Sequence, residues 1–267
     1  MSTSPSSLGT AVVTGASAGL GKVYADRLAG RGYDLVLVAR RAELLDAVAA
    51  DLRARHGVNV RTLVADLSLA ADVDKVASLL REDAGITLLV NNAGTSTLAP
   101  FAATSPAQIQ AMNAINVDAL VQLSRAVLPA FLARDKGTLI NIGSVLGFFS
   151  LPVSTAYSGG KSYVLTFTRG LQDEVKDSHV VVQLVAPSAT ATDIWEISGV
   201  PLSALDKNVV MTAEDCVDAA LAGLDLGEAV TLPSVENAGL FAAYDAARAA
   251  LAAATQNGKP ASRYQVK

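Results

Sequence analysis

Short apolar runs and longer amphipathic segments follow each other along the whole chain. The apolar runs are continuous rather than alternating, which is typical of strands that are covered on both faces. This order predicts an α/β fold in which helices cover both faces of a mostly parallel sheet. The runs that predict strands are 11–14, 34–40, 58–65, 86–91, 138–143, 180–186 and 229–232.

The segments between these runs carry apolar residues at helical spacing. The regular order stops between 193 and 211, where Trp195 and other apolar residues predict a cover over a site rather than a further strand. The predicted helices are 19–31, 44–55, 70–83, 106–134, one from Ala156 onward, 213–226 and 236–254.

The composition predicts a single domain and argues against several classes of function. The 267 residues are 51% apolar and 17% charged, and no linker divides them, so one domain over residues 1–267 is predicted. The net charge is −4 and no run of Lys or Arg exceeds two residues, which argues against a nucleic-acid partner. A single cysteine, Cys216, excludes an intramolecular disulfide, and no metal site is predicted.

The amino terminus lacks the basic flank and apolar core of a signal peptide. No continuous apolar run reaches the roughly 18 residues that a membrane span requires. The mean hydropathy of +0.37 is accounted for by alanine-rich helices and buried parallel strands. We therefore expect a soluble, cytoplasmic protein without a membrane partner.

A tyrosine and a lysine stand four residues apart, at Tyr157 and Lys161. On a helix this spacing puts both side chains on one face, roughly 5–6 Å apart at Cβ. A free phenol has a pKa of about 10, and we expect the neighbouring ammonium to lower it, so that the tyrosine becomes a usable acid and base. Ser144 follows a predicted strand, which places its hydroxyl at the carboxyl edge of the sheet.

A glycine-rich turn follows the first predicted strand, with the sequence Thr14-Gly-Ala-Ser-Ala-Gly-Leu-Gly21. Its glycines permit a tight turn and let a pyrophosphate approach backbone N–H groups at the start of a helix. Asn91-Asn92-Ala93-Gly94 closes the fourth predicted strand. With the glycine turn, the interval from Ser144 to Tyr157 and the Tyr157/Lys161 pair, the chain resembles the short-chain dehydrogenase/reductase family over nearly its full length.

The resemblance implies a doubly wound Rossmann fold with a seven-stranded, mostly parallel sheet in three layers. It also implies that Ser144, Tyr157 and Lys161 are catalytic, and that Asn116 holds a water in a proton path to the lysine. Relatives have glycine where this chain has Ser188, after Pro187. The cofactor-binding residues that the resemblance implies are Gly15, Ser17, Gly19, Leu20, Gly21, Arg40, Asp66, Leu67, Asn92, Ala93, Gly94, Tyr157, Lys161, Pro187, Ser188 and Thr192.

The end of the second predicted strand determines the expected cofactor. An acidic residue there would bind the ribose 2′-hydroxyl of NAD, whereas arginine accommodates the 2′-phosphate of NADP. The strand ends at Arg40 and Arg41, with no carboxylate until Glu43. We expect NADP(H) rather than NAD(H), with Arg40 as the main phosphate partner, Ser17 as a second donor and Arg41 as a solvated charge. Relatives that prefer NADP often carry a basic residue in the glycine turn, where this chain has Ala18.

The expected activity is reversible reduction of a ketone or aldehyde to an alcohol, on a mainly apolar small molecule. Leu146, Leu151 and Trp195 are predicted to line its pocket, and the segment from about 188 to 211 is predicted to be a lid. The resemblance implies a homodimer or homotetramer, in which the helix at 236–254 of the C-terminal segment (about 235 to 267) packs against a second subunit, while the tail from 256 to 267 is polar. Two alternatives stay open: an epimerase or dehydratase that oxidises its substrate transiently, and a non-catalytic protein that senses NADP.

Overall fold

The computed structural model describes residues 6–265, and within them the chain forms two compact units, one through Pro233 and one from Ser234. The first unit contains a seven-stranded sheet in which every ladder is parallel, in the order β3-β2-β1-β4-β5-β6-β7. The prediction of one domain over 1–267 stays a prediction. The strands are β1 Thr10–Thr14, β2 Asp34–Ala39, β3 Val60–Val64, β4 Ile86–Asn91, β5 Gly137–Ile142, β6 Val180–Val185 and β7 Val230–Thr231.

Helices cover both faces of this sheet, which confirms the predicted three-layer, doubly wound Rossmann fold. One face packs against α1, α2 and α8, and the other against α3, α5 and α6. A short helix, α7, lies in the predicted lid, where the sequence predicts no regular structure. The helices of the first unit are α1 Gly19–Gly30, α2 Ala42–His56, α3 Ala70–Glu82, α4 Pro106–Asn113, α5 Leu120–Ala133, α6 Thr155–Val175, α7 Ile194–Ser198 and α8 Ala213–Asp225.

The predicted long helix from 106 to 134 is present, but it is not uniform. It begins at a capping box in which Ser105 and Gln108 bond each other's backbone N–H groups. Six residues, Ala114–Ala119, form a π-helical turn between α4 and α5. By length and composition Pro106–Ala133 could cross a membrane, yet 56% of its most apolar window is buried inside the protein. It is therefore packed as a core helix.

A chain of buried polar side chains joins α5 to α6 through the sheet. Asn91 and Asn141 are register partners on β4 and β5, and the Asn91 amide donates to Asn141 Oδ1 at 3.0 Å and to Ser124 Oγ at 3.0 Å. Asn141 Nδ2 in turn donates to Thr168 Oγ1 at 3.0 Å. All four residues are buried, so each bond satisfies a group that water cannot reach.

The second unit contains one helix of its own, α9, which spans Ala238–Ala254. The Asn237 side chain caps it by accepting a hydrogen bond from the backbone N–H of Gly239 at 2.9 Å. The prediction of a helix at 236–254 is confirmed to within two residues. The predicted amphipathic character is not matched by burial, because no residue of α9 is buried.

We predict that the Thr168→Val variant is destabilised although it keeps the shape of the side chain. Valine removes the acceptor of the Asn141 amide and leaves that buried donor without a partner, which costs about 1–3 kcal/mol of unfolding free energy. Urea denaturation followed by circular dichroism measures it. Thr168→Ser keeps the hydroxyl and is the matched control. Equal losses in both variants would contradict a role for the Asn141–Thr168 hydrogen bond.

Candidate active site

The glycine turn lies directly on the segment that follows β4. Gly15 and Gly19 have φ of +68° and +52°, a conformation that favours glycine. A Cβ on Gly15 would lie 2.8 Å from Asn92 Nδ2, and one on Gly21 would overlap the carbonyl oxygen of Gly15. No side chain therefore fits between the turn and Asn92, so glycine is required at both positions.

Thr14, the last residue of β1, connects the glycine turn to the Asn91–Gly94 segment through hydrogen bonds. Its Oγ1 donates to the carbonyl of Val90 at 3.2 Å and accepts from the N–H groups of Asn92 at 2.9 Å and Ala93 at 3.0 Å. The Asn92 amide donates back to the Thr14 carbonyl at 2.9 Å. Thr14 is not among the predicted site residues, although it opens the glycine motif.

Asn116 lies in the π-helical turn and is almost fully buried. Its Oδ1 accepts from the Thr95 N–H at 2.8 Å and its Nδ2 donates to the Thr95 carbonyl at 2.8 Å. Both atoms of the amide thus hold the chain just after Gly94, leaving one N–H and one lone pair for another partner. The predicted water contact of Asn116 stays a prediction, and the structure adds a positioning contact to this side chain.

Ser144, Tyr157 and Lys161 come together where β5 ends and α6 begins. Ser144 Oγ accepts from the Leu146 N–H at 3.1 Å, and a hydrogen bond joins the Ser144 hydroxyl to the Tyr157 phenol. Lys161 Nζ lies 5.7 Å from the centroid of the Tyr157 ring. It donates to the carbonyl of Ile142, the last residue of β5, at 2.9 Å. Helical spacing therefore places the pair on one face of α6, as predicted.

The electrostatics of the pair differ from the expectation. Burial raises the pKa of Tyr157 to about 12, against the opposing effect of the Ser144 hydrogen bond. Burial also lowers the pKa of Lys161 to about 8. The prediction that Lys161 brings the phenol's pKa below its ordinary value is wrong for this structure. Removal from water favours the neutral form of each group, and for Tyr157 this desolvation outweighs the Ser144 hydrogen bond.

Two arginines stand where the 2′-phosphate of NADP is expected, and both are exposed. Arg41 Nη2 donates to Ser17 Oγ in the glycine turn at 3.3 Å and lies 4.0 Å from Asp193 Oδ2. Arg40 lies close enough to Asp66 to contribute to lowering the pKa of that carboxyl, after two hydrogen bonds from Ser68. Arg41, expected to be a solvated charge, is therefore the arginine that contacts the glycine turn.

Asp66 has a local role beside its predicted contact with the cofactor. Its Oδ1 accepts from the backbone N–H and the hydroxyl of Ser68, at 3.0 Å and 2.7 Å. The residue at the N-cap position of α3 is Leu69. Leu67 is buried in the core between the sheet and α3. Asp66 therefore shapes the turn after β3, and its free carboxylate oxygen, Oδ2, is the atom left for a ligand.

The segment after β6 closes onto the glycine turn and is held at its base. Thr192 lies over Gly19, where a Cβ would come within 3.2 Å of Thr192 Cγ2. The carbonyl of Pro187 accepts from the Val145 N–H at 2.9 Å, and Ser188 offers its carbonyl to Thr190 Oγ1 at 3.1 Å. With serine in place of glycine at 188, this segment still reaches the turn.

The predicted lid is fixed at both ends and across the cleft. The N–H of Ala191 donates to the Met211 carbonyl at 2.8 Å, which joins the start and end of the lid. The indole N–H of Trp195 donates to the Thr190 carbonyl at 2.8 Å. The N–H of Leu98 donates to the Ser198 carbonyl at 3.0 Å, so α7 is tied to the segment after Gly94.

Apolar side chains are exposed on three segments of the chain: the segment after β4, the segment before α6 and the predicted lid. Phe101 is 56% exposed, Phe149 55%, Leu151 48% and Ile197 56%. Leu146, two residues after Ser144, is only partly exposed. The contacts predicted for Leu146, Leu151 and Trp195 with a substrate stay predictions.

The residues present fit a nicotinamide dinucleotide. The glycines keep the turn before α1 free of side chains, as close approach of a pyrophosphate requires, Ser17 and Arg41 offer donors to a phosphate, and the small residues Ala93 and Gly94 follow β4. Among residues 6–265, no group of three or more His, Cys, Asp or Glu side chains is placed to hold a metal ion.

Comparison with known proteins gives the same picture. The family model described as short chain dehydrogenase matches residues 9–199. A very-long-chain 3-oxoacyl-CoA reductase of Anas platyrhynchos is 39% identical over 193 residues, which are 70% of this chain and 62% of the relative. Human 17-beta-hydroxysteroid dehydrogenase type 3 is 32% identical over 223 residues, 81% of this chain and 68% of the relative. The chain thus spans less than two thirds of the length of the reductase that it matches.

Two solved structures cover nearly the whole chain. A short-chain dehydrogenase from Sphingobium yanoikuyae, in complex with NADPH, superposes with a TM-score of 0.92 at 41% identity and covers 96% of this chain and 100% of its own. A bulky-bulky ketone specific alcohol dehydrogenase from Comamonas testosteroni superposes with a TM-score of 0.88 at 36% identity, covering 96% and 98%. Fold, motifs and relatives agree, and the chain belongs to the short chain dehydrogenase family.

Proposed function

We propose that this protein is an NADP-dependent oxidoreductase that reversibly reduces a ketone or aldehyde carrying mainly apolar substituents. The observation that carries this proposal is the convergence of Ser144, Tyr157 and Lys161 at the carboxyl edge of the sheet, beside a glycine turn that can hold a pyrophosphate. Membership of the family and the NADPH complex of the Sphingobium yanoikuyae relative support it.

When bound, the nicotinamide supplies the hydride that adds to the carbonyl carbon. The Tyr157 hydroxyl gives its proton to the carbonyl oxygen, and the Ser144 hydroxyl donates a hydrogen bond to the same oxygen as negative charge develops there. Lys161, fixed by the Ile142 carbonyl, places a positive charge near the phenolate that forms. Because burial raises the pKa of Tyr157 to about 12, the phenol carries its proton at neutral pH, which is the state that reduction requires.

The preference for NADP rests on the arginines after β2. Arg41 and Ser17 already form a hydrogen-bonded pair at the mouth of the glycine turn, and Arg40 adds a second guanidinium beside them in sequence. Guanidinium groups bind phosphates through charge-assisted hydrogen bonds. No carboxylate stands between the end of β2 and Glu43 to bind a free 2′-hydroxyl.

The proposed substrate class rests on exposed apolar side chains of the predicted lid and of the segments that follow β4 and precede α6. Phe101, Phe149, Leu151 and Ile197 are apolar and about half exposed, so a ligand with apolar groups on both sides of its carbonyl would cover them. The Comamonas testosteroni relative is described as specific for bulky-bulky ketones. We therefore include ketones with two large apolar substituents in the proposal.

A panel of such ketones, assayed for NADPH oxidation with NADH in parallel, tests the activity and the cofactor together. We predict that Tyr157→Phe lowers the reduction rate by about 10²-fold to 10⁴-fold, because the proton donor is lost while the ring is kept. NADPH affinity, followed by fluorescence titration, should stay within about twofold of the parent's. Retained turnover in Tyr157→Phe would remove this tyrosine from the proposed role.

We predict that Arg41→Ala weakens NADPH binding by about tenfold or more and leaves NADH binding unchanged. Each charged hydrogen bond to a phosphate contributes about 1.5–3 kcal/mol, and NADH lacks that phosphate. Calorimetric titration of both nucleotides measures the two affinities. Arg40→Ala, made in parallel, ranks the two arginines, and Arg81→Ala on α3 controls for the loss of one surface charge. Equal weakening for both nucleotides would place Arg41 outside the 2′-phosphate contact.

We predict that Lys161 lowers the free energy of unfolding less at alkaline pH than at neutral pH. Its pKa is lowered from 10.5 to about 8, so between these values the unfolded chain binds the proton more often than the folded chain, and folding stability rises with pH. Lys161→Met has no such charge, so its advantage over the parent should shrink by up to about 1.4 kcal/mol per pH unit in this window. Urea denaturation at several pH values measures it, with Lys136→Met as the control for net charge. A constant difference would mean that Lys161 does not titrate there.

A further inference from the structure

The segment that carries Ser144 lies directly on helix α6. It runs from Ser144 to Leu151 and begins with a single 3-10 turn, Val145–Gly147. A Cβ on Gly147 would stand 2.8 Å from the carbonyl oxygen of Lys161, so glycine is needed for the turn to approach the helix this closely. The position of the Ser144 hydroxyl therefore depends on how this segment is held against α6.

Three serines, at 154, 158 and 162, follow one another at four-residue intervals along the start of α6. This spacing puts them in one row along the helix, beside the row that contains Tyr157 and Lys161. Ser154 and Ser158 are buried, and Ser162 is partly buried. We call these three residues the serine row.

Ser162 holds the first part of the Ser144–Leu151 segment. Its hydroxyl donates to the Gly147 carbonyl at 2.8 Å, and the Gly147 N–H donates to the Ser144 carbonyl at 2.9 Å. The Ser162 hydroxyl is thus connected to the backbone of Ser144 through one residue. On the side away from α6, the Val145 N–H donates to the Pro187 carbonyl at 2.9 Å. Hydrogen bonds linked in this way support one another, so a change at Ser162 is expected to reach Ser144.

Ser154 and Ser158 hold the other end of the same segment. The Leu151 N–H donates to Ser154 Oγ at 2.9 Å, and the Leu151 carbonyl accepts from the Ser154 N–H at 2.9 Å. The hydroxyls of Ser154 and Ser158 bond each other at 2.9 Å. Because both serines are buried, each of these bonds satisfies a group that water cannot reach. The serine row therefore holds the segment at both of its ends.

We propose that the residues of the serine row are positioning residues for carbonyl reduction, and that Ser162 sets the place of the Ser144 hydroxyl relative to Tyr157. The inference rests on the proposed function, in which Ser144 and Tyr157 bond the same carbonyl oxygen. A displacement of about 1 Å at a reacting group can lower a rate by roughly 100-fold. Loss of the Ser162 hydroxyl therefore lowers the rate of reduction although every reacting group is kept.

A double-mutant cycle between Ser162 and Ser144 tests this role. The measurement is the single-turnover rate of ketone reduction at saturating NADPH. We expect Ser162→Ala to lower this rate at least about tenfold. In a Ser144→Ala background the same change should lower it by less than about twofold, because its effect passes through Ser144. A merely structural role would multiply the two losses.

Two matched variants accompany the cycle. Ser162→Thr keeps the hydroxyl and should restore the rate to within about threefold of the parent's, because the bond to Gly147 can form again. Thr166→Ala removes an exposed hydroxyl from the same helix and should leave the rate unchanged. Fluorescence titration should show NADPH affinity within about twofold of the parent's in Ser162→Ala, because the serine row does not contact the glycine turn.

Hydrogen–deuterium exchange measures how the segment is held without any substrate. In Ser162→Ala the amides of residues 145–147 should exchange at least about threefold faster, whereas those of β1 and α5 should keep their rates. Ser154→Ala should have the same effect on the Leu151 amide. Unchanged exchange in this segment, or losses of Ser162 and Ser144 that multiply, would overturn the proposal. A parent that reduces no ketone would contradict the proposed activity instead, and exchange would still show whether the serine row holds the segment.

Discussion

The ammonium of Lys161 is buried and donates a hydrogen bond to the carbonyl of Ile142, the residue that ends β5. This contact joins α6 to the end of β5, and Tyr157 lies one turn earlier on the same helix. The position of Tyr157 therefore depends on it. A positive charge in such a place is costly, and the lowered pKa of Lys161 records the cost. The fold keeps this charge at the carboxyl edge of the sheet, where Lys161 bonds the Ile142 carbonyl beside Ser144 and Tyr157.

Several independent contacts hold that edge in place. The chain of buried amides and hydroxyls from Ser124 to Thr168 joins α5, which follows the π-helical turn with Asn116, to α6, which carries Lys161. Thr14 joins the glycine turn to the segment after β4, and Asn116 holds the next residue of that segment, Thr95. Hydrogen bonds thus connect the glycine turn, the segment after β4 and helix α6, which carries Tyr157. A displacement of one strand end would therefore shift the others.

The order of elements and the convergence of Ser144, Tyr157 and Lys161 could be predicted from the sequence, because continuous apolar runs, glycine turns and four-residue spacing each have one main structural meaning. The direction of the Tyr157 pKa could not, because it depends on how much water the finished fold excludes from the phenol. The sequence could not show which of Arg40 and Arg41 contacts the glycine turn, because this depends on the direction of the backbone at the end of β2. The short lid helix α7 and the π-helical turn at Asn116 arise from tertiary contacts that leave no periodic pattern.

The raised pKa of Tyr157 keeps the phenol protonated at neutral pH, and the protonated phenol is the form that can donate a proton to the oxygen of a carbonyl being reduced. We propose that the substrates are ketones with large apolar substituents. Hydride transfer itself is measured most directly in a single turnover with NADPH that carries two deuterium atoms at C4 and a ketone with two bulky apolar groups. The account predicts one deuterium on the carbinol carbon for each NADP+ formed. Absence of deuterium transfer to every ketone of this class, with the nucleotide bound, would contradict it.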